Sequence, residues 1–442
     1  MLCILNSILI WLVSSSSFAA MEITIKESTI VYPAQETPKT SLWNSNLDLL
    51  ITRYHAPFVY FYKPNGSSDF LDTGRLKESL SKILVPFYPV AGRLGFDANG
   101  RLEISCNALS VLFVEAESTS VMDHFIADFS HNSQVFRLVP EVDYSEGISS
   151  FPLLVVQVTK FKFGGVCVGV GFYHTLGDGT TIFHFINSWA DTARGLSPVI
   201  APFIDRTLLR ARVPPMPKFH HVEYDPSPPL KTMASHSALA SESDDFKPSM
   251  ISTFKLTADQ LNLLKAKADD QPVKMYTPVD GRSKLNPPLP PGYLGNAIFI
   301  ASVIAQAGDL KTESFSDTVK RIHEGLNQIN DEYLRSAVDY TEKVSDLSAL
   351  VRGAHTLRCP NLMVNTWVRS PLYGADFGWG RPIYVVPANI FQEGNTLVLP
   401  SPPDDGSVWV VARLETRHMT LFKKQFYDFC FAGENERRLS KI

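Results

Sequence analysis

The residue of this sequence best placed to do chemistry is a histidine that closes an apolar run. His174 stands in Phe172-Tyr173-His174-Thr175-Leu176-Gly177-Asp178-Gly179. An imidazole with an ordinary pKa of about 6.5 is suited to take a proton from a hydroxyl or an amine. The run before it reads as a strand, so His174 would project at a strand end, where the chain turns and a cleft can form. Gly177 and Gly179 permit a tight turn that other residues would strain. The plainer reading is a hydrogen-bonded histidine at a helix start, with Asp178 as the N-cap of the segment that follows. On spacing alone, HxxxD does not decide between them.

A second constellation is Asp376-Phe377-Gly378-Trp379-Gly380, continuing Arg381-Pro382. Two glycines around a tryptophan suggest backbone packed tightly against something. Structurally this is a fixed loop locking two parts of the molecule; functionally it would shape a ligand channel. Other chemistries are poorly supplied. The 5 cysteines contain no CxxC pair, so zinc and thioredoxin-type sites fail. There is no GxSxG nucleophile elbow, which argues against a serine hydrolase.

Two such sites need a sizeable scaffold, and the chain has one. At ~150 residues per domain, 442 residues suggest two or three domains. A composition 45% hydrophobic and 19% charged is that of a globular protein with ample core. The net charge is −4, from 41 Lys+Arg against 45 Asp+Glu, and no basic run stands out. That argues against a nucleic-acid binder but leaves room for a small anionic ligand held by a few local cations.

Residues 2–13 (LCILNSILIWLV) followed by SSSSFAA resemble a signal peptide's apolar core and cleavage site. No Lys or Arg precedes that core, and it is too short to span a membrane comfortably. Met21 opens a second plausible start. The expectation is an upstream extension and a cytoplasmic protein without stable membrane association, which the sparse, odd cysteine count also fits. The secretory pathway is the alternative if the leader works. The sequon Asn65-Gly-Ser67 is no more than chance supplies.

From Met21 to about Arg210 strands alternate with helices. EITIKESTIVYP reads as a strand, and 74–86 as a helix with Leu76, Leu80, Ile83 and Leu84 at helical spacing, stopped by Pro86 and Pro89. Residues 151–163 and 166–173 read as a hairpin turning at Gly164-Gly165. Residues 179–193 place Ile182, Phe183, Ile186 and Trp189 on one helix face. The stretch 211–250 is rich in proline and serine and reads as a surface crossover. A second domain, 251–442, is expected to hold helices at 257–268 and 313–330 and strands near 297–304, 361–369, 383–388, 396–399 and 407–414. The whole reads as mixed α/β in two lobes, with the cleft between lobes a common place for a substrate site.

HxxxDG in the first half and DFGWG in the second, in that order and far apart, resemble the plant BAHD acyl-CoA transferases. The resemblance runs from Met21 to near the end of the chain. It is closest to the hydroxycinnamoyl-CoA:shikimate/quinate hydroxycinnamoyltransferases and the rosmarinate synthases. It also rests on LWNSNLDLL (42–50), LVPFYPVAGRL (84–94), PFIDRTLLRAR (202–212), FHHVEY (219–224), VDGRSKLNPPLPPGYLGN (279–296) and DEYLRSAVDY (331–340).

The resemblance implies an α/β, two-lobed fold like chloramphenicol acetyltransferase with a channel between the lobes. Coenzyme A would enter from one side and the acyl acceptor from the other. His174 would be the general base, acting without an acyl-enzyme. Asp178 would point away from the channel, pair with Arg282 and hold the loop that presents His174. Asp376 matches a position sometimes counted with the active site, although a structural role fits it better. Gly378 and Gly380 would shape its loop. Trp379 N–H or a backbone amide would face the oxyanion.

Arg352 would grip an acceptor carboxylate, with Tyr60, His55 and Asn365 at pocket positions. Ala56 and Phe58 stand where hydroxyl residues are usual, and Tyr173 replaces a frequent histidine. The acceptor is then a quinate-, shikimate- or hydroxyphenyllactate-like hydroxyl, and the donor p-coumaroyl- or caffeoyl-CoA. No permanent cofactor, metal or protein partner is expected, and the chain is expected to be a monomer. Family members carry a few dozen more residues near 264–275, including a helix beside the coenzyme A channel. The rival reading is therefore a catalytically impaired or non-catalytic remnant, the product of a skipped exon or a mis-joined gene.

Overall fold

The computed structural model describes residues 21–66, 70–127, 134–225, 249–256, 272–306, 309, 313–351, 354–357, 359, 361–402, 406–424 and 426. The leader 1–20, residues 226–248 of the crossover, the helix expected at 257–268, the shortened tether up to residue 271, and Arg352 lie outside the described residues.

The strands of the first half are β1 (Ile23–Val31), β2 (Thr40–Trp43), β3 (His55–Tyr62), β4 (Arg93–Phe96), β5 (Leu102–Cys106), β6 (Val111–Val121), β7 (Leu154–Lys162) and β8 (Val166–Tyr173). Those of the second half are β9 (Ser249–Leu256), β10 (Pro272–Asp280), β11 (Ile298–Gln306), β12 (Leu362–Thr366), β13 (Tyr384–Pro387), β14 (Asn395–Pro400) and β15 (Val408–Glu415). One six-stranded sheet runs β1-β6-β7-β8-β3-β13 and a second runs β11-β10-β12-β14-β15-β9. A small three-stranded sheet, β2-β5-β4, completes the set. This is a mixed α/β fold in two lobes. β13 comes from the second half of the chain yet pairs antiparallel with β3, Tyr384 opposite Phe61, so the later chain closes the edge of the first sheet.

β8 is the strand that delivers His174. Its sequence VCVGVGFY is buried at every position, between β7 and β3. That is why it reads as a continuous apolar run rather than an alternation. The hairpin from β7 turns at Phe163 and Gly164, both at positive φ (68° and 99°).

Beyond His174 the helix Gly179–Ala193 begins, capped by Asp178, whose side chain accepts from Thr181 N. It buries Ile182, Phe183, Ile186 and Trp189, the face its spacing predicts. Trp189 Nε1 donates to Leu76 O (3.2 Å) and Ser79 Oγ (3.1 Å), fastening it to the helix Thr73–Ile83. That helix stops three residues before Pro86, and a 3-10 turn at Tyr88–Ala91 follows.

The described part of the crossover is pinned, not merely solvated. The helix Asp331–Lys343 presents Asp339, which accepts from Arg212 N, Arg212 Nε and Met216 N. Ser336 Oγ on the same helix accepts from Lys218 N and Phe219 N and meets His221 Nε2 at 2.9 Å. Tyr333 OH reaches Glu223 Oε2 at 2.6 Å. Proline thus stiffens a segment that a helix then holds in place. Among the described residues, no helix is long and apolar enough to cross a membrane.

Candidate active site

His174 opens a single 3-10 turn, His174–Leu176, at the end of β8. Its N–H donates to Tyr54 O (3.1 Å), just before β3, and its carbonyl accepts from Gly177 N (3.2 Å). The ring lies edge-on to Tyr54, centroids 6.2 Å apart, and Nδ1 is buried with no atom in hydrogen-bond geometry. Burial pulls the imidazole below its ordinary 6.5, opposed by its own backbone, Asp178, Asn296 and Gly177. A neutral ring at neutral pH is the form that accepts a proton.

All three carbonyls of this turn are held by side chains. Asn296 Nδ2 donates to His174 O (2.9 Å), Arg206 Nη1 to Thr175 O (3.2 Å) and Arg206 Nη2 to Leu176 O (2.6 Å). Neither residue stood out in the sequence, where each is one polar residue inside a longer similar stretch.

Asp178 points into the seam between the lobes. Its Oδ1 accepts from Thr181 N (3.2 Å) and Arg282 Nη2 (3.0 Å), and its Oδ2 from Arg282 Nη1 (2.8 Å) and Ala297 N (2.9 Å). With both oxygens doubly engaged, this carboxylate fixes the loop after His174. Arg282 also donates to Gly295 O (2.9 Å).

The two glycines of the turn differ in what requires them. Gly177 has φ 170°, extended backbone open to any residue. Its need is space, because a Cβ there would lie 2.4 Å from Thr181 Cγ2 and 2.5 Å from Thr181 Cβ. At Gly179 a Cβ would meet Phe183 at an ordinary 3.5 Å, inside a helix.

In the second motif, Asp376 Oδ1 accepts from Gly378 N (2.8 Å) and Gly380 N (2.9 Å), folding the loop on itself. Gly378 and Gly380 sit at φ 99° and 93°, where glycine is strongly preferred. Trp379 packs edge-on against Tyr62 and Phe70, each 5.5 Å away, and Phe377 against Trp189 at 4.8 Å. Tyr62 OH donates to Ala375 O (2.7 Å). The loop is thereby locked onto the first sheet and its helix.

The pocket candidates are dispersed. His55 faces Tyr173 across β3 and β8, but both ring nitrogens are engaged, Nδ1 with Tyr144 OH and Nε2 with Pro152 O, each at 2.8 Å. Pro152 O can only accept, so Nε2 carries the proton and Nδ1 receives the tyrosine's. Burial pushes this histidine down to about 4. Tyr60, on the same strand, has a buried hydroxyl without a hydrogen-bond partner, and its phenol is raised by burial. Asn365 lies half-buried on β12. Two residues on, Trp367 meets Phe58 (5.4 Å) and Phe183 (5.7 Å) in an aromatic cluster that the sequence reading did not mark.

Comparison with known proteins agrees with this architecture. A family model described as the Transferase family matches residues 21–277 and 263–429. The chain is 50% identical to a shikimate O-hydroxycinnamoyltransferase of Nicotiana tabacum over 439 residues, covering 92% of this chain and all of that protein. It is 43% identical to a rosmarinate synthase of Plectranthus scutellarioides over 444 residues, with the same coverage of each. The fold matches that of F. graminearum TRI101, solved with coenzyme A and deoxynivalenol, at TM-score 0.68 and 15% identity, covering 87% of this chain and 97% of that one. On its sequence matches and its fold together, the chain belongs to the Transferase family, the BAHD acyltransferases, and is an acyltransferase enzyme.

Proposed function

We propose that this enzyme moves a hydroxycinnamoyl group, p-coumaroyl or caffeoyl, from its coenzyme A thioester to a hydroxyl of a quinate-, shikimate- or hydroxyphenyllactate-like acceptor. The observation that carries the mechanism is a half-buried imidazole, His174, with its Nδ1 buried, on a turn whose three carbonyls and following loop are all tied down. The name of the Nicotiana tabacum relative supports the hydroxycinnamoyl group, and the solved complex of a structural neighbour supports coenzyme A as co-substrate.

In this reading the neutral His174 takes the acceptor's hydroxyl proton as the oxygen attacks the thioester carbonyl. The C–O bond forms, and the tetrahedral oxyanion collapses with cleavage of the C–S bond. The imidazolium returns its proton to the departing thiolate, so coenzyme A leaves as the thiol and the histidine is restored. No residue is acylated. Asp178 contributes by orientation alone, since its lone pairs already face Arg282, Ala297 and Thr181. Arg352 is read as the cation for the acceptor carboxylate and Tyr60 and Asn365 as pocket residues, whereas His55, with both ring nitrogens engaged, and Trp379, packed on Tyr62 at the far end of β3 from His174, are read as structural. On the same resemblance the enzyme works as a cytoplasmic monomer with acyl-CoA as a transient co-substrate. The complete set of side chains seating His174 favours this over a non-catalytic remnant.

The test is release of coenzyme A thiol from p-coumaroyl-CoA, with and without a carboxylated hydroxy acceptor. Release that requires the acceptor, with the ester formed in equal amount, is the expected result. Release at the same rate without acceptor would make the protein a thioesterase and overturn the reading.

A further inference from the structure

The two side chains that hold the His174 turn share one buried carboxylate. Asp48, in the short helix Asn46–Leu49, is wholly buried, as are Asn296 and the side chain of Arg206. Asp48 Oδ1 accepts from Asn296 N (2.8 Å) and Nδ2 (3.0 Å) and lies 3.4 Å from Arg206 Nη1. Its other oxygen accepts from Ser45 N (2.8 Å) and Ser45 Oγ (2.7 Å), which fixes the carboxylate plane. Asn296 Nδ2 then reaches the His174 carbonyl, and Arg206 those of Thr175 and Leu176.

We infer that Asp48 is a positioning residue for the transfer reaction, setting the His174 turn through Asn296 and Arg206. This rests on His174 being the base. Removed from water, the ion pair and its hydrogen bonds act as one unit, and loosening any member loosens the others. It differs from the Asp178–Arg282 pair, which grips the chain after the turn, whereas Asp48 grips the turn's own carbonyls. A histidine displaced by ~1 Å loses on the order of 10²-fold in rate, while substrate contacts elsewhere are untouched.

The experiment measures steady-state kinetics and thermal unfolding of the full chain for Asp48→Asn, Asn296→Ala and their double variant, beside Ser336→Ala and His174→Ala. Ser336→Ala weakens the remote clip on the crossover and controls for lost stability. On folded protein, each of the first two variants is expected to lower kcat ~10–100-fold with KM for acyl-CoA changed less than about twofold. The double variant should be no worse than the worse single one, and Ser336→Ala should keep kcat. Asp48→Asn leaves the Arg206 charge buried and unpaired and can prevent folding. Asn296→Ala, which keeps that ion pair, then decides alone. Wild-type kcat in folded Asn296→Ala overturns the inference, as does independent, multiplying loss in the double variant. Full activity in His174→Ala would instead refute the base on which it rests.

Discussion

Arg282 Nη1 and Nη2 donate to the two carboxylate oxygens of Asp178 at 2.8 and 3.0 Å, joining residues 104 apart in sequence. The carboxylate is almost entirely buried and the guanidinium mostly so. Breaking such a pair leaves a charge in a poorly solvated seam at roughly 3–5 kcal/mol. Asp178→Asn should therefore lower stability by about that much and reduce kcat as the loop after His174 loosens. Urea unfolding and kinetics on one preparation check it; unchanged stability with lost turnover would instead give Asp178 a direct chemical role.

Burial lowers the His174 imidazole from its ordinary 6.5. The base works neutral, so activity is lost as pH falls through the lowered value. A plot of kcat/KM against pH should bend with its midpoint below 6.5. A midpoint at or above 6.5 would mean that the titrating base lies elsewhere.

His55 is held at about 4 by burial among Tyr144, Phe151 and Tyr173. Its folded value lies below its unfolded 6.5, so its contribution to stability is complete above pH 6.5 and disappears as pH drops towards 4. The gap between those two values corresponds to about 3 kcal/mol. Unfolding free energies at pH 7 and 4.5 should show most of this loss, and His55→Phe should flatten the dependence. An equally steep fall in His55→Phe would assign the effect to other groups.

Gly177→Ala would set a Cβ 2.4 Å from Thr181 Cγ2. Thr181 cannot yield without disturbing the helix start and its bond to Gly295 O (2.9 Å). We expect a loss of about 1–3 kcal/mol, with kcat falling because the displaced segment carries Asp178. Gly179→Ala, with ordinary space, should be close to neutral. Thermal melts of the two separate the cases, and equal losses would show that crowding at Thr181 is not the cause.

What the sequence showed well was local. The apolar run ending at His174, the helix face of Ile182, Phe183, Ile186 and Trp189, and Asp178 as N-cap follow from periodicity and capping chemistry. What it hid was tertiary. Asp48 and Asn296 meet across 248 residues, and polar side chains of their type are ordinarily solvated. Gly177 looked like a turn glycine, but its torsion is ordinary and only the approach of Thr181 reveals its purpose. β13 carries no local sign that it crosses to the first sheet, because an apolar run such as Tyr384–Pro387 fits any buried position. For Asp376 the sequence favoured a structural role without showing its partners, the amides of Gly378 and Gly380, which only the folded loop brings to its oxygen.

The most direct test of the account is His174→Ala, assayed with p-coumaroyl-CoA and a carboxylated hydroxy acceptor alongside coenzyme A binding by calorimetry. A general base contributes ~10²–10⁴-fold, and the nucleotide's contacts lie away from the imidazole in this reading. The account predicts kcat lower by that factor with coenzyme A affinity largely unchanged. Turnover at the wild-type rate in the folded variant would contradict it.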